Sequence, residues 1–84
     1  MITPTIHMNG TSRTALLDAL LDAGHAVTLA REALMACAPH GRDYYPQGEA
    51  AIGQATREHL ALDTALRDVH NAILARYDAI LETP

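Results

Sequence analysis

The sequence predicts an all-α fold: a long antiparallel helical hairpin with an extended N-terminal arm, assembling as a homo-oligomeric helix bundle. Three observations lead there. Two long Ala/Leu-rich stretches repeat apolar residues in alternating steps of three and four, the spacing of one helix face. Between them, Pro39-His40-Gly41-Arg42-Asp43-Tyr44-Tyr45-Pro46-Gln47-Gly48 holds two prolines and two glycines, the strongest helix breaker in the chain. A connection this short makes the two helices antiparallel neighbours. The 84 residues form one domain, 1–84, of a size whose own core is marginal.

Residues 1–10 form the arm. Pro4 disfavours helix at the residue before it, so Thr3-Pro4-Thr5-Ile6 takes an extended path. Alternation puts Ile2 and Ile6 on one face with Pro4 and Met8, and Asn9-Gly10 closes the arm with a turn. Ten extended residues reach ~33 Å, enough to run back along most of a helix. The arm is therefore expected to lie on the bundle, with Ile2 and Ile6 covering apolar surface.

The first helix is expected over 11–38. Thr11 or Ser12 supplies a hydroxyl to cap its first turn, and Pro39 ends it. Its stripe reads Leu16, Leu20, Ala23, Val27, Ala30, Leu34 and Cys37, widened by Leu17, Leu21 and Met35. Asp18, Asp22, Arg31 and Glu32 are expected to face water. Gly24 costs about 1 kcal/mol relative to Ala in a helix, and its presence points to close helix contact.

The second helix is expected over 49–82, with Gly48 at its entrance and Glu49 suiting the positive end of the dipole. A heptad places Ile52, His59, Leu66, Ile73 and Ile80 at one seam position and Ala55, Leu62 and Val69 at the other. At ~50 Å this helix exceeds the ~40 Å first helix. Its last turns, Tyr77 to Leu81, would overhang unless the arm or another subunit covers them.

A two-helix hairpin leaves its outer flanks wet, so Leu17, Leu21, Met35, Leu60 and Leu74 call for a partner. A symmetric dimer making a four-helix bundle supplies one. With no Phe and no Trp, the core has little bulk per residue, which also favours self-association. The net charge of −4 argues against a nucleic-acid partner, since phosphate binding needs a basic face. Cys37 is the single cysteine, which excludes an intrachain disulfide and makes a cytosolic setting the default. No run approaches the ~20 apolar residues of a membrane span, and no basic segment leads into an apolar run as in a signal peptide.

Chemistry-bearing clusters are few. His59, Asp63 and His70 lie near one face of the second helix, and Asp22 and His25 are three apart on the first. A di-iron bundle needs four carboxylates and two paired histidines, so no metal or other cofactor is expected. Asp63 and Arg67 read as a surface ion pair. Cys37 reads as a packed, inert thiol. Nothing resembles a nucleophile elbow, a phosphate loop or a dinucleotide fingerprint, so no enzyme is expected.

Two segments exceed what structure alone requires. At Asn9-Gly10-Thr11-Ser12-Arg13, free N–H groups, two hydroxyls and an arginine converge, which suits an anion; for this segment taken alone, a capped helix with a solvated arginine is the favoured reading. In the 39–48 loop, His40 and Asp43 add polar groups, Gly41 permits backbone approach, and Arg42 can fork onto a phosphate or carboxylate. Tyr44 and Tyr45 can stack on a base. Alternatively the tyrosines plug the end of the bundle, and Arg42 pairs with Asp43 or Glu49. The candidate ligand-binding residues are therefore Asn9, Thr11, Ser12, Arg13, His40, Gly41, Arg42, Asp43, Tyr44 and Tyr45. The two segments lie at opposite ends of one hairpin, and an antiparallel dimer would bring the cap of one chain to the loop of the other.

The run Thr3-Pro4-Thr5-Ile6-His7-Met8-Asn9-Gly10-Thr11-Ser12, followed by Gly41-Arg42-Asp43-Tyr44-Tyr45, resembles small proteins encoded by tailed bacteriophages and prophages. Met8 stands where such relatives would carry Leu. The resemblance covers the arm, the cap and the loop, and the helices only in character; it transfers no catalytic residue. It implies a viral origin and action in the cytoplasm of the infected bacterial host. Many phage proteins of this size and build are counter-defence factors, including oligomeric sponges that trap nucleotide immune signals, an analogy of class.

Two function classes follow. One is a homo-oligomeric, non-catalytic binding protein that sequesters a phosphorylated nucleotide-like small molecule. The other is a helical interaction protein, either a virion assembly factor or a direct inhibitor of a host protein, since Tyr and Arg also dominate protein interfaces.

Overall fold

Ser12 begins the first helix as the spacing predicts: its Oγ accepts from the Ala15 N–H at 3.1 Å, satisfying a donor that the first turn leaves free. The computed structural model describes residues 1–84, and its elements run α1 (Arg13–Ala36), α2 (Gly41–Tyr44), a 3₁₀ turn (Tyr45–Gln47) and α3 (Glu49–Leu81). The chain is all-helical, and the two long helices pack against each other. No helix is long and apolar enough to cross a membrane. α1 stops two residues short of the expected Ala38, because the Cys37 N–H closes back on the Leu34 and Met35 carbonyls ahead of Pro39.

Three cross-helix contacts set the register. Arg13 donates to the Thr83 carbonyl, Gly24 faces His70 and Ile73, and Arg31 meets Asp63. The start of α1 and the end of α3 are thus flush, and Tyr77 to Leu81 do not overhang. Ile80 is 2% exposed, the most deeply buried large side chain. The extra length of α3 lies at its start, where α2 and the 3₁₀ turn pack along it. The arm, one of the two covers expected for these turns, reaches this end, where Ile2 and Pro4 border the same groove as Ile80.

Both helices are also rotated from the expected seam. Ile52, His59, Leu66, Ile73 and Ile80 face inward as predicted, each half-buried or buried. At the second seam position Ala55 is buried as predicted, but Leu62 and Val69 are 57% and 49% exposed, and Asp63, His70 and Tyr77 are turned in instead. On α1, Gly24 and Arg31 are turned in, whereas Ala23, Ala30 and Cys37 are exposed. Arg31, expected in water, is half-buried: its Nε donates to Asp63 Oδ1 at 2.9 Å and its Nη2 to Oδ2 at 3.2 Å. That fork replaces the expected Asp63–Arg67 pair, because a planar guanidinium matches both carboxylate oxygens. A rotation of one residue keeps the helical period and changes which neighbours are buried.

The hydrogen bond from Arg31 holds the Asp63 carboxylate below its usual range; partial desolvation opposes this, and the charges of Arg31, Arg67 and His59 reinforce it. A carboxylate lowered in the folded state stabilises at neutral pH, and that contribution is lost as pH falls through the folded value. Acid unfolding should therefore carry a component from Asp63 below the ordinary carboxylate value of about 3.9. Asp63→Asn should remove that component from thermal melts recorded across the acid limb. Salt should weaken it too, since the pair is 35% and 40% exposed.

The glycine between the helices has a simple consequence. A Cβ on Gly24 would sit 3.9 Å from His70 Nε2 and from Ile73 Cγ2, an ordinary contact distance. The helices approach closely here, yet alanine fits. Gly24→Ala should stabilise the fold by about 1 kcal/mol and raise the melting temperature by about 4–8 °C, read by circular dichroism.

The arm folds back over the end of the hairpin, where Ile2 and Pro4 border a groove with Leu16, Ala19, Leu20 and Ile80. Ile6 is half-buried, but Ile2 is 94% exposed, so only one of the two expected isoleucines covers much surface. The Asn9-Gly10 turn is present, closed by the Gly10 N–H on the His7 carbonyl at 3.1 Å.

The resulting rod is thin. It measures 63 × 20 × 16 Å with a radius of gyration of 18.8 Å, where a compact chain of this length would have about 12 Å. Only Gly24, Ala55 and Ile80 of the 84 residues are buried. The surface is 6259 Å², about 1,400 Å² more than the ~4,900 Å² that the size scaling gives a compact 9.0 kDa chain.

Candidate functional site

The ten-residue breaker is not an irregular loop. His40 Nδ1 accepts from the Arg42 N–H at 3.2 Å and caps α2, and Pro46 sits in the first turn of the 3₁₀ segment. Gly48 then turns the chain into α3 with φ of 101°, a left-handed conformation that L side chains rarely adopt. Histidine is an unusual cap, and two prolines and two glycines in ten residues conceal a four-residue helix, so residue patterns alone read a loop here.

This segment splits the two tyrosines. Tyr44 is half-buried and borders a groove of about 180 Å³ with Gln47, Ala51, Gln54, Ala55 and Glu58. On its other side Tyr44 shares a cleft of about 290 Å³ with Cys37, Pro39, Asp43, Glu58 and His59. It therefore covers the start of α3, as the bundle-plug reading has it. Tyr45 is 79% exposed. Arg42 is exposed, its guanidinium pairs with neither Asp43 nor Glu49, and its backbone N–H donates to His40 Nδ1. Gly41 has open space where a Cβ would sit, so room exists for a ligand backbone or base.

The first segment is used differently. Ser12 is spent on its cap, and Arg13 is half-buried with Nη2 on the Thr83 carbonyl. A cation just beyond the C-cap of α3 complements the negative end of that helix. Arg13 thus ties the two chain ends together, while Asn9 and Thr11 remain exposed. α1, about 36 Å long by its rise per residue, separates Asn9–Arg13 from His40–Tyr45. One hairpin does not bring the two groups together.

Glu58 and Gln54 were not among the candidate residues, although they border the grooves beside Tyr44 and are joined by a hydrogen bond of 3.0 Å. Their helical spacing from Ala51 and Ala55 was visible, but only the register shows that the connection lies over that face. His59 lines the cleft beside Tyr44 and a second, apolar groove with Leu34, Met35 and Leu60. No three His, Cys, Asp or Glu side chains converge in a way that would hold a metal ion. Asp63 is engaged by Arg31. Cys37 is exposed, not packed, with Sγ donating to the Leu34 carbonyl at 3.2 Å.

No protein-family model, curated protein or solved structure matches this chain.

Proposed function

We propose that the chain is a non-catalytic binding protein, active as a homo-oligomer, that sequesters a phosphorylated nucleotide-like small molecule at the α2 end of the hairpin. One observation carries this reading: Arg42, without a side-chain partner, stands three residues from the exposed ring of Tyr45 on a segment that its own backbone bonds hold in shape. A guanidinium suits a phosphate, and a free ring suits a base. The carboxylates of Asp43 and Glu58 in the adjoining cleft suit the donor edge of that base. The resemblance of Thr3–Ser12 and Gly41–Tyr45 to phage proteins is what supports the remainder of the proposal, action in the infected bacterial cytoplasm as a counter-defence factor.

The test is mass spectrometry of whatever is released when protein purified from infected, defence-active cells is denatured. An intact nucleotide derivative is expected, and a cleaved product would move the protein among the enzymes. Arg42→Ala should weaken binding by about 1.5–3 kcal/mol, ten- to a hundred-fold. Tyr45→Ala should weaken it by about 1–3 kcal/mol. Both variants should keep their fold, since neither side chain lies between α1 and α3. Undiminished binding by both would place the site elsewhere.

A second reading, a helical interaction protein serving virion assembly or inhibiting a host protein, is favoured by the exposure of Met35 (75%), Leu60 (59%) and Leu62 (57%). Retention of a host or virion protein, with no small molecule released, would select it.

A further inference from the structure

The segment that carries Arg42 and Tyr45 is held by few bonds. α2 has four residues, and its last turn closes where the Tyr45 N–H donates to the Gly41 carbonyl. At its start the Asp43 N–H donates to the His40 carbonyl at 3.0 Å. The Arg42 N–H, like other first-turn donors, has no acceptor within the helix. His40 Nδ1 satisfies it at 3.2 Å, from an extended backbone with φ of −117° and ψ of 135°. Asparagine, aspartate and serine serve a cap position better, and their oxygens accept throughout the range around neutral pH. Histidine differs in one respect. Its ring nitrogen accepts only while the imidazole is neutral, because protonation turns both nitrogens into donors.

We infer that His40 is a positioning residue for Arg42, and that its protonation unlatches α2 and releases the ligand. This rests on the binding reading above and adds its regulation. The geometry gives the sign. A proton on Nδ1 takes the lone pair that the Arg42 N–H uses, and it sets a cation against the free N–H groups of the first turn. The cap is therefore present above the range near 6.5 in which imidazoles gain a proton, and it is lost as pH falls through that range. No ion pair rewards the charged ring, since Arg31 and Asp63 make the one such pair in the chain. Arg42 and Asp43 share its helix, and Glu58 and His59 face α2 across the cleft from α3. The end of α1 brings Cys37 there, and the 3₁₀ turn brings Tyr45. Carboxylates ordinarily stay ionised across this range, so His59 is the other histidine to control for, and substituting His40 alone isolates the cap.

The test compares the full-length chain at about pH 7.5 and about pH 5.5, either side of the imidazole range. The probe is 3′,5′-cyclic AMP, a base with a phosphate diester whose charge stays constant, unlike that of a phosphate monoester. At the lower pH the wild type should bind it about two- to thirty-fold more weakly, the range that a helix cap is worth. The Cα chemical shifts of Arg42 and Asp43 should move from helical toward coil values, while far-UV circular dichroism shows the long helices intact. His40→Asn, whose cap does not titrate, should give the same binding and the same shifts at both pH values. His40→Ala should show the acid behaviour at both. An equal loss of binding on acidification in wild type and His40→Asn would overturn the assignment to His40, and so would wild-type shifts that do not move. Failure of all three chains to bind cyclic AMP at the higher pH, with the shifts moving as expected, would overturn the nucleotide reading and the release of ligand, and would leave the cap's response to pH established.

Discussion

Leu66→Asp should leave the chain largely unfolded at room temperature, with far-UV circular dichroism showing loss of helix and sedimentation showing no assembly. Leu66 is half-buried at the middle of α3, in line with His59 and Ile73 on the inner face. Replacing it removes apolar burial and puts a carboxylate on the half-buried face between the two helices. The nearest arginine of the inner face offers little relief, since both oxygens of Asp63 already hold Arg31. A penalty of roughly 3 kcal/mol or more is expected, as for an unpaired buried charge. A domain this small holds only about 3–5 kcal/mol. A variant that remained helical and assembled would show that the inner face is misplaced.

Ile80→Ala should lower the melting temperature by about 10 °C or more. Ile80 is 2% exposed, and it closes the end of the hairpin where the arm and α1 meet α3. Removing three carbons there costs about 2–5 kcal/mol through lost burial and the cavity left behind. Each kcal/mol is worth about 4–8 °C in a domain of this size. Leu29→Ala is the control: Leu29 is 51% exposed, so the same kind of truncation should shift the melt little. Equal shifts in the two variants would mean that no distinct core exists at this end.

The candidate site was legible as residues more than as a place. Arg42 and the tyrosines stood out because a turn needs none of them. Which ring was free did not, because that depends on how four helical residues and a 3₁₀ turn lie on α3. Arg13 was read as an anion ligand or a solvated cation; its use on the Thr83 carbonyl, 70 residues away, required the register.

The sequence by itself determined where the two long helices lie and where they end to within two residues, but not the four-residue helix between them. Ser12, Pro39 and Gly48 act through their own backbone neighbours, and the recurrence of Ile52, His59, Leu66, Ile73 and Ile80 shows a helical period without any partner. Only the tertiary structure decided the rotation of each helix about its axis and the sliding of one along the other. Alanine is spread over much of α1, so several faces are nearly equal in apolar burial, and a turn of one residue costs little hydrophobic energy. The choice then fell to contacts between distant residues: the fork of Arg31 on Asp63, the fit of Gly24 against His70 and Ile73, and the tie from Arg13 to the end of α3. These are directional, and no local spacing encodes them.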